Sequence, residues 1–117
     1  MSNYSVVSCV GQLLRERRSA FDFGFHSRVG KGRSGLYAFW SGSACLYVGK
    51  STDIGRRLYG HRMQEHNTKL DQFFRAFSDQ IEVSVVSQEE CGSADLLSLE
   101  GYFIRTFRPL TNGVVPR

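Results

Sequence analysis

One acidic residue interrupts the apolar side of a predicted helix near the C-terminus. Five apolar residues recur there at helical spacing: Leu96, Leu97, Phe103, Ile104 and Phe107. Glu100 falls in the middle of their stripe. Because burial of an ionised carboxylate without a partner is costly, Glu100 needs an ion pair with an arginine, a bound metal ion, or a position at the rim of a cleft.

A basic residue and a titratable residue occur one helical turn apart in an earlier predicted helix. Arg57 and His61 are at positions i and i+4, beside the apolar stripe formed by Ile54 and Leu58. They can therefore face the same cleft as Glu100. Taken singly, an arginine is usually solvated, and a histidine is usually satisfied by a backbone carbonyl.

Two tyrosines lie on neighbouring predicted strands. The segments Leu36 to Trp40 and Cys45 to Val48 have strand character, and the turn-forming residues 41–43 join them into a hairpin. Alternation along the strands places Tyr37 and Tyr47 on a shared face, with Leu46 and Val48 opposite Tyr47. Aromatic residues in strands more often pack than react, so the pair alone does not establish a site.

Two tripeptides resemble those that name the GIY-YIG nuclease superfamily: Gly35, Leu36 and Tyr37, and then Tyr47, Val48 and Gly49. Both middle positions carry conservative aliphatic replacements. Lys50 follows the second tripeptide directly, and Arg57 lies ten residues past Tyr47. Glu100 falls in the last helix, and Asn112 comes twelve residues after it. The resemblance covers residues 35–112, and the order and spacing of its parts are jointly specific.

Two features of the resemblance point to different branches of the superfamily. His61 resembles the histidine of homing and restriction members, whereas Lys50 resembles the lysine of excision-repair members. The residues before Gly35 match no family pattern. The branch and the role of this leader stay open.

The resemblance implies a metal ion and a general base. Glu100 would be the sole protein carboxylate on one Mg²⁺ or Mn²⁺ ion per active site, which suits the partly hydrated sites that Mg²⁺ prefers. Tyr47 would be the base, directly or through water. Because an unperturbed tyrosine has a pKa of about 10, Lys50, Arg57 or the metal would have to make proton loss easier. His61 has a better-matched pKa and is an alternative base or relay.

The other family positions would support the reaction. Arg57 has a planar fork of donors that suits the phosphoryl oxygens of the transition state. Tyr37 would orient water or Tyr47, and Asn112 would brace the site.

The elements that must position these residues make an α+β fold. The pattern predicts a small three-stranded antiparallel sheet flanked by helices, with residues 1–34 as a basic N-terminal extension of the same unit and residues 35–117 as the nuclease domain. A helix is expected over roughly the first eighteen residues, followed by a flexible basic connection at residues 30–35. The third strand is expected from Ile81 to Val86.

Three further helices are expected. One begins after the candidate caps Ser51 to Asp53 and runs to about Arg62. Another is capped by Asn67 or Thr68 and carries apolar residues at helical spacing: Leu70, Phe73, Phe74 and Phe77. The last is capped by Ser93 and ends before Pro109.

The charge distribution favours a polyanionic partner. The 117-residue chain carries a net charge of +4, and the residues before Gly35 account for the excess. Solvated helix surfaces are the alternative explanation. The candidate nucleic-acid-binding residues are all basic: Arg15, Arg18, Arg28, Lys31, Arg33, Arg56, Arg62 and Lys69.

The composition also bears on the compartment. Three widely spaced cysteines without a CxxC pattern argue against a disulfide framework and a thiolate zinc site. No stretch approaches membrane-spanning length, so we expect a cytoplasmic protein without a membrane partner.

The expected function is a metal-dependent DNA endonuclease with weak sequence specificity, since little of the chain remains for reading grooves. The alternatives are a single-strand DNA or RNA nuclease of the same fold, a catalytically silent nucleic-acid-binding domain, and a protein-interaction domain. The sequence leaves strandedness, target sequence and oligomeric state open.

Overall fold

An antiparallel sheet lies at the centre of the fold. The computed structural model describes residues 3–19, 33–57, 68–77 and 80–112. Its strands are β1 (Arg18–Ser19), β2 (Gly35–Ser41), β3 (Ala44–Ser51) and β4 (Ile81–Ser87), in the spatial order β1-β4-β2-β3. The predicted three-stranded antiparallel sheet is confirmed. The two-residue strand β1, which pairs with β4 at the sheet edge, is an addition from the N-terminal extension.

Helices flank the sheet. They are α1 (Asn3–Leu14), α2 (Thr68–Phe77), α3 (Gln88–Cys91) and α4 (Leu96–Phe107). Residues 54–57 are also helical, and the rest of the helix predicted there lies outside the described residues. Thus α1 ends at Leu14, earlier than predicted, and the chain turns towards β1.

The predicted final helix is present as α4, but its N-cap lies two residues later than predicted, and the unpredicted short helix α3 precedes it. Ser87 caps α3 in a capping box with Glu90, and Gly92 ends it at a φ of 64°. Asp95, not Ser93, caps α4 by accepting a hydrogen bond from the Ser98 N–H. As predicted, α4 ends before Pro109; Arg108 follows it with a left-handed φ of 51°.

The first face of the sheet is apolar. Leu36, Ala38 and Trp40 pack there against α1 and α4, and Val10 and Leu14 of α1 are fully buried. The Trp40 indole N–H also donates to the Leu14 carbonyl at 3.1 Å. The N-terminal helix is therefore part of this core.

The second face carries the tyrosines. Tyr37 and Phe39 alternate with the residues of the first face and pack with Ile54 and Leu70. The pairing of β2 with β3 shifts register between Phe39 and Trp40. Leu46 was predicted to lie on the face opposite Tyr47, but it packs in the same cluster as Tyr37.

The residues after α4 run along the open edge of β3. The backbone N–H groups of Leu110 and Thr111 donate to the carbonyls of Cys45 and Leu46 at 3.1 and 2.8 Å. This pairing covers an edge strand that would otherwise present free hydrogen-bonding groups. None of the described helices is both long enough and apolar enough to cross a membrane.

Candidate active site

The two tyrosines of the hairpin lie against each other. Tyr37 is opposite Gly49 in the register of β2 and β3, and Tyr47 is opposite Phe39. The rings of Tyr37 and Tyr47 stack with centroids 5.9 Å apart. A Cβ at Gly49 would lie 2.5 Å from the Tyr37 Oη and 2.8 Å from the Tyr47 Cε1. Glycine at this position therefore leaves the space in which the two rings meet.

A second glycine brings the helical residues 54–57 close to the sheet. A Cβ at Gly35 would clash with the Val86 carbonyl oxygen and lie 2.6 Å from the Ile54 Cδ1. The Ile54 N–H donates to the Arg33 carbonyl at 2.8 Å, which ties this helix start to the chain just before β2. Arg57 is thereby held beside the tyrosine face.

Arg57, Tyr37 and Tyr47 form a chain of hydrogen bonds. Arg57 donates to the Tyr37 oxygen, and the Tyr37 hydroxyl donates to the Tyr47 oxygen. Burial, reinforced by Tyr47, raises the pKa of Tyr37 well above its usual value, and Arg57 offsets only part of the rise. Tyr37 therefore keeps its proton and acts as a donor, and the cation behind it strengthens that donation.

Tyr47 is more accessible than Tyr37, and several groups act on its proton. Burial raises the pKa of Tyr47 above its usual value, and the charge of Glu100 raises it further. The Tyr37 hydrogen bond and the Arg57 charge lower it but do not compensate. The predicted lowering of the Tyr47 pKa by Arg57 is thus present, but burial and the Glu100 charge outweigh it.

Glu100 is half-buried on α4, at the side that faces β3. Its carboxylate accepts a hydrogen bond from the backbone N–H of Lys50. Burial raises the pKa of the Glu100 carboxyl, and the Lys50 charge and this hydrogen bond oppose the rise. Among the side chains that the structure describes, no arginine forms an ion pair with Glu100.

The Glu100 carboxylate fits a hydrated divalent cation. A carboxylate offers about four lone-pair positions, and the single backbone donor from Lys50 leaves most of them available. Partial burial near the phenol of Tyr47 places the carboxylate beside another oxygen, and oxygen ligands are what Mg²⁺ and Mn²⁺ prefer.

Asn112 braces the strand that carries Tyr47. Its Oδ1 accepts from the Val48 N–H and its Nδ2 donates to the Val48 carbonyl, both at 2.8 Å. Val48 lies between Tyr47 and Gly49, so this two-point contact fixes the backbone directly beside the phenol. The predicted bracing position of Asn112 agrees with these contacts.

The structure brings together five of the seven predicted catalytic residues around one region: Tyr37, Tyr47, Lys50, Arg57 and Glu100. Asn112 supports them from the edge of β3, and His61 lies outside the described residues. Sequence reasoning missed that Lys50 reaches Glu100 through its backbone N–H. A side-chain type carries no signal for such a contact.

The predicted nucleic-acid-binding residues have different surroundings. Arg33, Arg56 and Lys69 are exposed. The Arg15 guanidinium instead lies 4.8 Å from the centre of the Phe107 ring and donates to the Gly11 carbonyl of α1. Four members of the set lie wholly or by their side chains outside the described residues: Arg18, Arg28, Lys31 and Arg62.

Known proteins share this arrangement of elements. The GIY-YIG N-terminal endonuclease domain of UvrC from Thermotoga maritima, as a point variant bound to its catalytic divalent cation, matches 80% of this chain and 98% of that domain. Its sequence identity is 19% and its TM-score 0.55. The magnesium-bound form of the same domain matches 79% and 97% of the two chains, with 20% identity and a TM-score of 0.54. These likenesses show the fold.

The sequence itself supplies the family. A search of curated proteins gave no match. The model of the GIY-YIG catalytic domain matches residues 33–113, which is well over half of the chain and includes every predicted catalytic residue. The chain therefore belongs to the GIY-YIG family, whose domain is a nuclease fold.

Proposed function

We propose that this protein is a divalent-metal-dependent endonuclease that hydrolyses phosphodiester bonds of DNA with weak sequence specificity. One observation carries the proposal. The carboxylate of Glu100 from α4 is close enough to Tyr47 for its charge to raise the pKa of that phenol. Hydrogen bonds through Tyr37 connect the same phenol to the guanidinium of Arg57. These groups come from distant parts of the chain, and a packing role alone does not require their meeting.

Tyr47 is the proposed general base, directly or through a water molecule. Hydrolysis needs a group that accepts a proton from water, and a phenolate at Tyr47 would be stabilised by the hydrogen bond from Tyr37. Compensation of the Glu100 charge by a bound cation would remove one of the contributions that raise the Tyr47 pKa. His61 is the alternative base or relay.

Two groups compensate charge at the phosphate. Arg57 uses part of its donor set on Tyr37, and its remaining N–H groups can bind phosphoryl oxygens. One Mg²⁺ or Mn²⁺ ion at Glu100 would supply Lewis-acid charge to the reacting phosphate. Lys50 adds a further positive charge beside the same carboxylate.

DNA is the proposed substrate and the cytoplasm the proposed location. Arg33, just before β2, and Arg56, directly before Arg57, are both exposed. Both can contact phosphates without reading bases. Phosphate binding of this kind should weaken steeply with salt.

We propose residues 1–34 as an extension built into the same unit and residues 35–117 as the nuclease domain.

Cleavage of supercoiled plasmid with Mg²⁺ or Mn²⁺ tests the catalytic assignment. Wild-type protein, Glu100→Gln and the matched variant Glu89→Gln are compared at equal concentration, because Glu89 is an exposed carboxylate on α3. We expect cleavage by the wild type and by Glu89→Gln, and a loss of about 10³-fold or more in Glu100→Gln. Equal cutting by all three proteins would refute the role of Glu100.

The same assay separates the alternatives. Preferential cutting of single-stranded DNA or RNA would assign the chain to those substrates while the chemistry is kept. Salt-sensitive binding without cleavage under any divalent ion would identify a catalytically silent binding domain.

A further inference from the structure

One side of α4 is turned away from the proposed active site. At about 100° per residue, Asp95, Ser98, Tyr102 and Arg105 fall within a single arc of the helix, and Glu100 lies on the opposite side. All four are exposed, including the aromatic side chain of Tyr102 at 41%. We call this set the outer face of α4.

The outer face borders an open groove between α4 and α1. The groove has a volume of about 340 Å³. Its apolar walls include Val6 and Val7 of α1 and Leu99 of α4. A second cavity of about 200 Å³ shares Val7 and Tyr102 with the first and extends along the same helices. An aromatic ring beside an apolar groove is typical of a surface that binds another protein.

The charges on the outer face are arranged symmetrically about its middle. Asp95 lies five residues before Glu100 and Arg105 five residues after it, and Ser98 and Tyr102 lie two residues to either side. Asp95 and Arg105 are about 15 Å apart along the helix, too far to pair with each other. In two antiparallel copies of α4, each would lie opposite its counterpart of opposite charge.

Both charged groups are available for such pairing. Asp95 accepts hydrogen bonds from the Ser98 N–H and hydroxyl and from the Leu97 N–H, and its exposed carboxylate still has acceptor positions for a cation. Within the described parts of the chain, the Arg105 guanidinium forms no hydrogen bond or ion pair.

We propose that the outer face of α4 binds a second copy of this chain in a two-fold antiparallel pair. Asp95 then faces the partner's Arg105, and the Tyr102 ring enters the groove beside the partner's Ser98. This self-complementary surface is what an isologous dimer requires. Because Glu100 is on the other side of α4, the two copies carry their proposed active sites on opposite sides of the pair.

Charge reversal tests the pairing in the full-length protein by sedimentation equilibrium over a range of concentrations. We expect a concentration-dependent dimer for the wild type. Asp95→Arg and Arg105→Asp, each alone, place like charges opposite each other and should raise the dissociation constant by about tenfold or more. An equimolar mixture of the two variants restores both attractive contacts and should form a heterodimer.

Two further variants keep the test decisive. Tyr102→Lys disrupts the same face without touching the N-cap of α4, so it should also weaken the dimer if Asp95→Arg folds poorly. Glu89→Arg reverses an exposed charge on α3 and should leave the dissociation constant unchanged. A wild type that stays monomeric throughout, or a dimer insensitive to Tyr102→Lys and to both reversals, would overturn the proposal. No nucleic acid is needed, so the result is independent of the proposed nuclease activity.

Discussion

The two faces of strand β2 differ in what they do. On one face Leu36, Ala38 and Trp40 are buried among apolar residues of α1 and α4. On the other, Tyr37 is equally buried, yet its hydroxyl joins a hydrogen-bond chain from Arg57 to Tyr47. Residues adjacent in sequence therefore serve different purposes, because successive side chains of a strand point to opposite faces.

Burial alone therefore does not separate a residue that only packs from one whose polar group belongs to a hydrogen-bond chain. Tyr37 and Leu36 are both fully buried. What distinguishes Tyr37 is a polar group whose partners are a cation and a second phenol. Substitutions on the first face should change stability, and those on the second face should change the reaction.

The largest expected effect is on the second face. Tyr47→Phe removes the proposed base and the acceptor of the Tyr37 hydroxyl, so the cleavage rate should fall by about 10²- to 10⁴-fold. The free energy of unfolding should change by only about 1 kcal/mol. Tyr102→Phe is the matched control, because it removes an exposed hydroxyl elsewhere and should cut normally. Normal cutting by Tyr47→Phe would transfer the base role to another group, with His61 the first candidate.

On the first face, Leu36→Ala should lower the stability of the fold without changing the activity of the folded protein. Removal of a fully buried leucine side chain should lower the free energy of unfolding by about 2–5 kcal/mol. Denaturant unfolding measures this loss, and cleavage per folded molecule should stay close to that of the wild type. A rate loss at temperatures where the variant is fully folded would show that the two faces are not separable.

An intermediate case is Asn112, which contacts the backbone of β3 but no reacting group. Asn112→Ala leaves the Val48 N–H and carbonyl without their partner, so we expect a loss of about 1–3 kcal/mol in unfolding free energy. Cleavage should fall as well, because Tyr47 is adjacent to Val48. Asn112→Asp keeps the acceptor for the Val48 N–H but turns a carboxylate oxygen towards the Val48 carbonyl, so at neutral pH it should be no more stable than Asn112→Ala. An Asn112→Asp variant as stable as the wild type at neutral pH would argue against the hydrogen bonds as the cause.

The smallest expected effect is a gain in stability from removing the proposed metal ligand. In the metal-free protein the pKa of Glu100 is raised on folding, so the folded state binds more protons than the unfolded chain as the pH falls from neutral towards that pKa. Wild-type stability should therefore rise as the pH falls through this window. Glu100→Gln avoids the cost of burying a charged carboxylate, so this variant should be more stable at neutral pH by at most about 1 kcal/mol, since the side chain is half-exposed.

The pH dependence of that gain is the check. In denaturant unfolding without metal, the stabilities of the two proteins should approach each other as the pH falls through the raised pKa and should converge below the ordinary glutamate pKa of the unfolded chain. A gap that is constant with pH, or a less stable Glu100→Gln at neutral pH, would show that Glu100 is not destabilised by its position.

Periodic patterns predicted the central elements well. The β2–β3 hairpin, β4 and the end of α4 before Pro109 follow from local alternation and capping. Strand β1 could not be found in this way, because two residues carry no periodicity and their pairing with β4 is a long-range contact. The capping box of Ser87 and Glu90 was visible in the sequence and would have indicated the short helix α3, which was not predicted.

The site was predictable to the extent that side-chain type decides it. The stripe around Glu100 and the shared face of Tyr37 and Tyr47 indicated which residues could meet. The Lys50 backbone donor and the direction of donation between the two phenols depend on tertiary distances and on relative burial, which no local pattern encodes.

Cation binding tests the central claim most directly. Titration of Mn²⁺ into the nucleic-acid-free protein, followed by electron paramagnetic resonance of the free ion, reports the number of sites and their affinity without requiring activity. We expect one ion per chain for the wild type and for Glu89→Gln, and a loss of that ion in Glu100→Gln. Equal Mn²⁺ binding by Glu100→Gln and the wild type would contradict it.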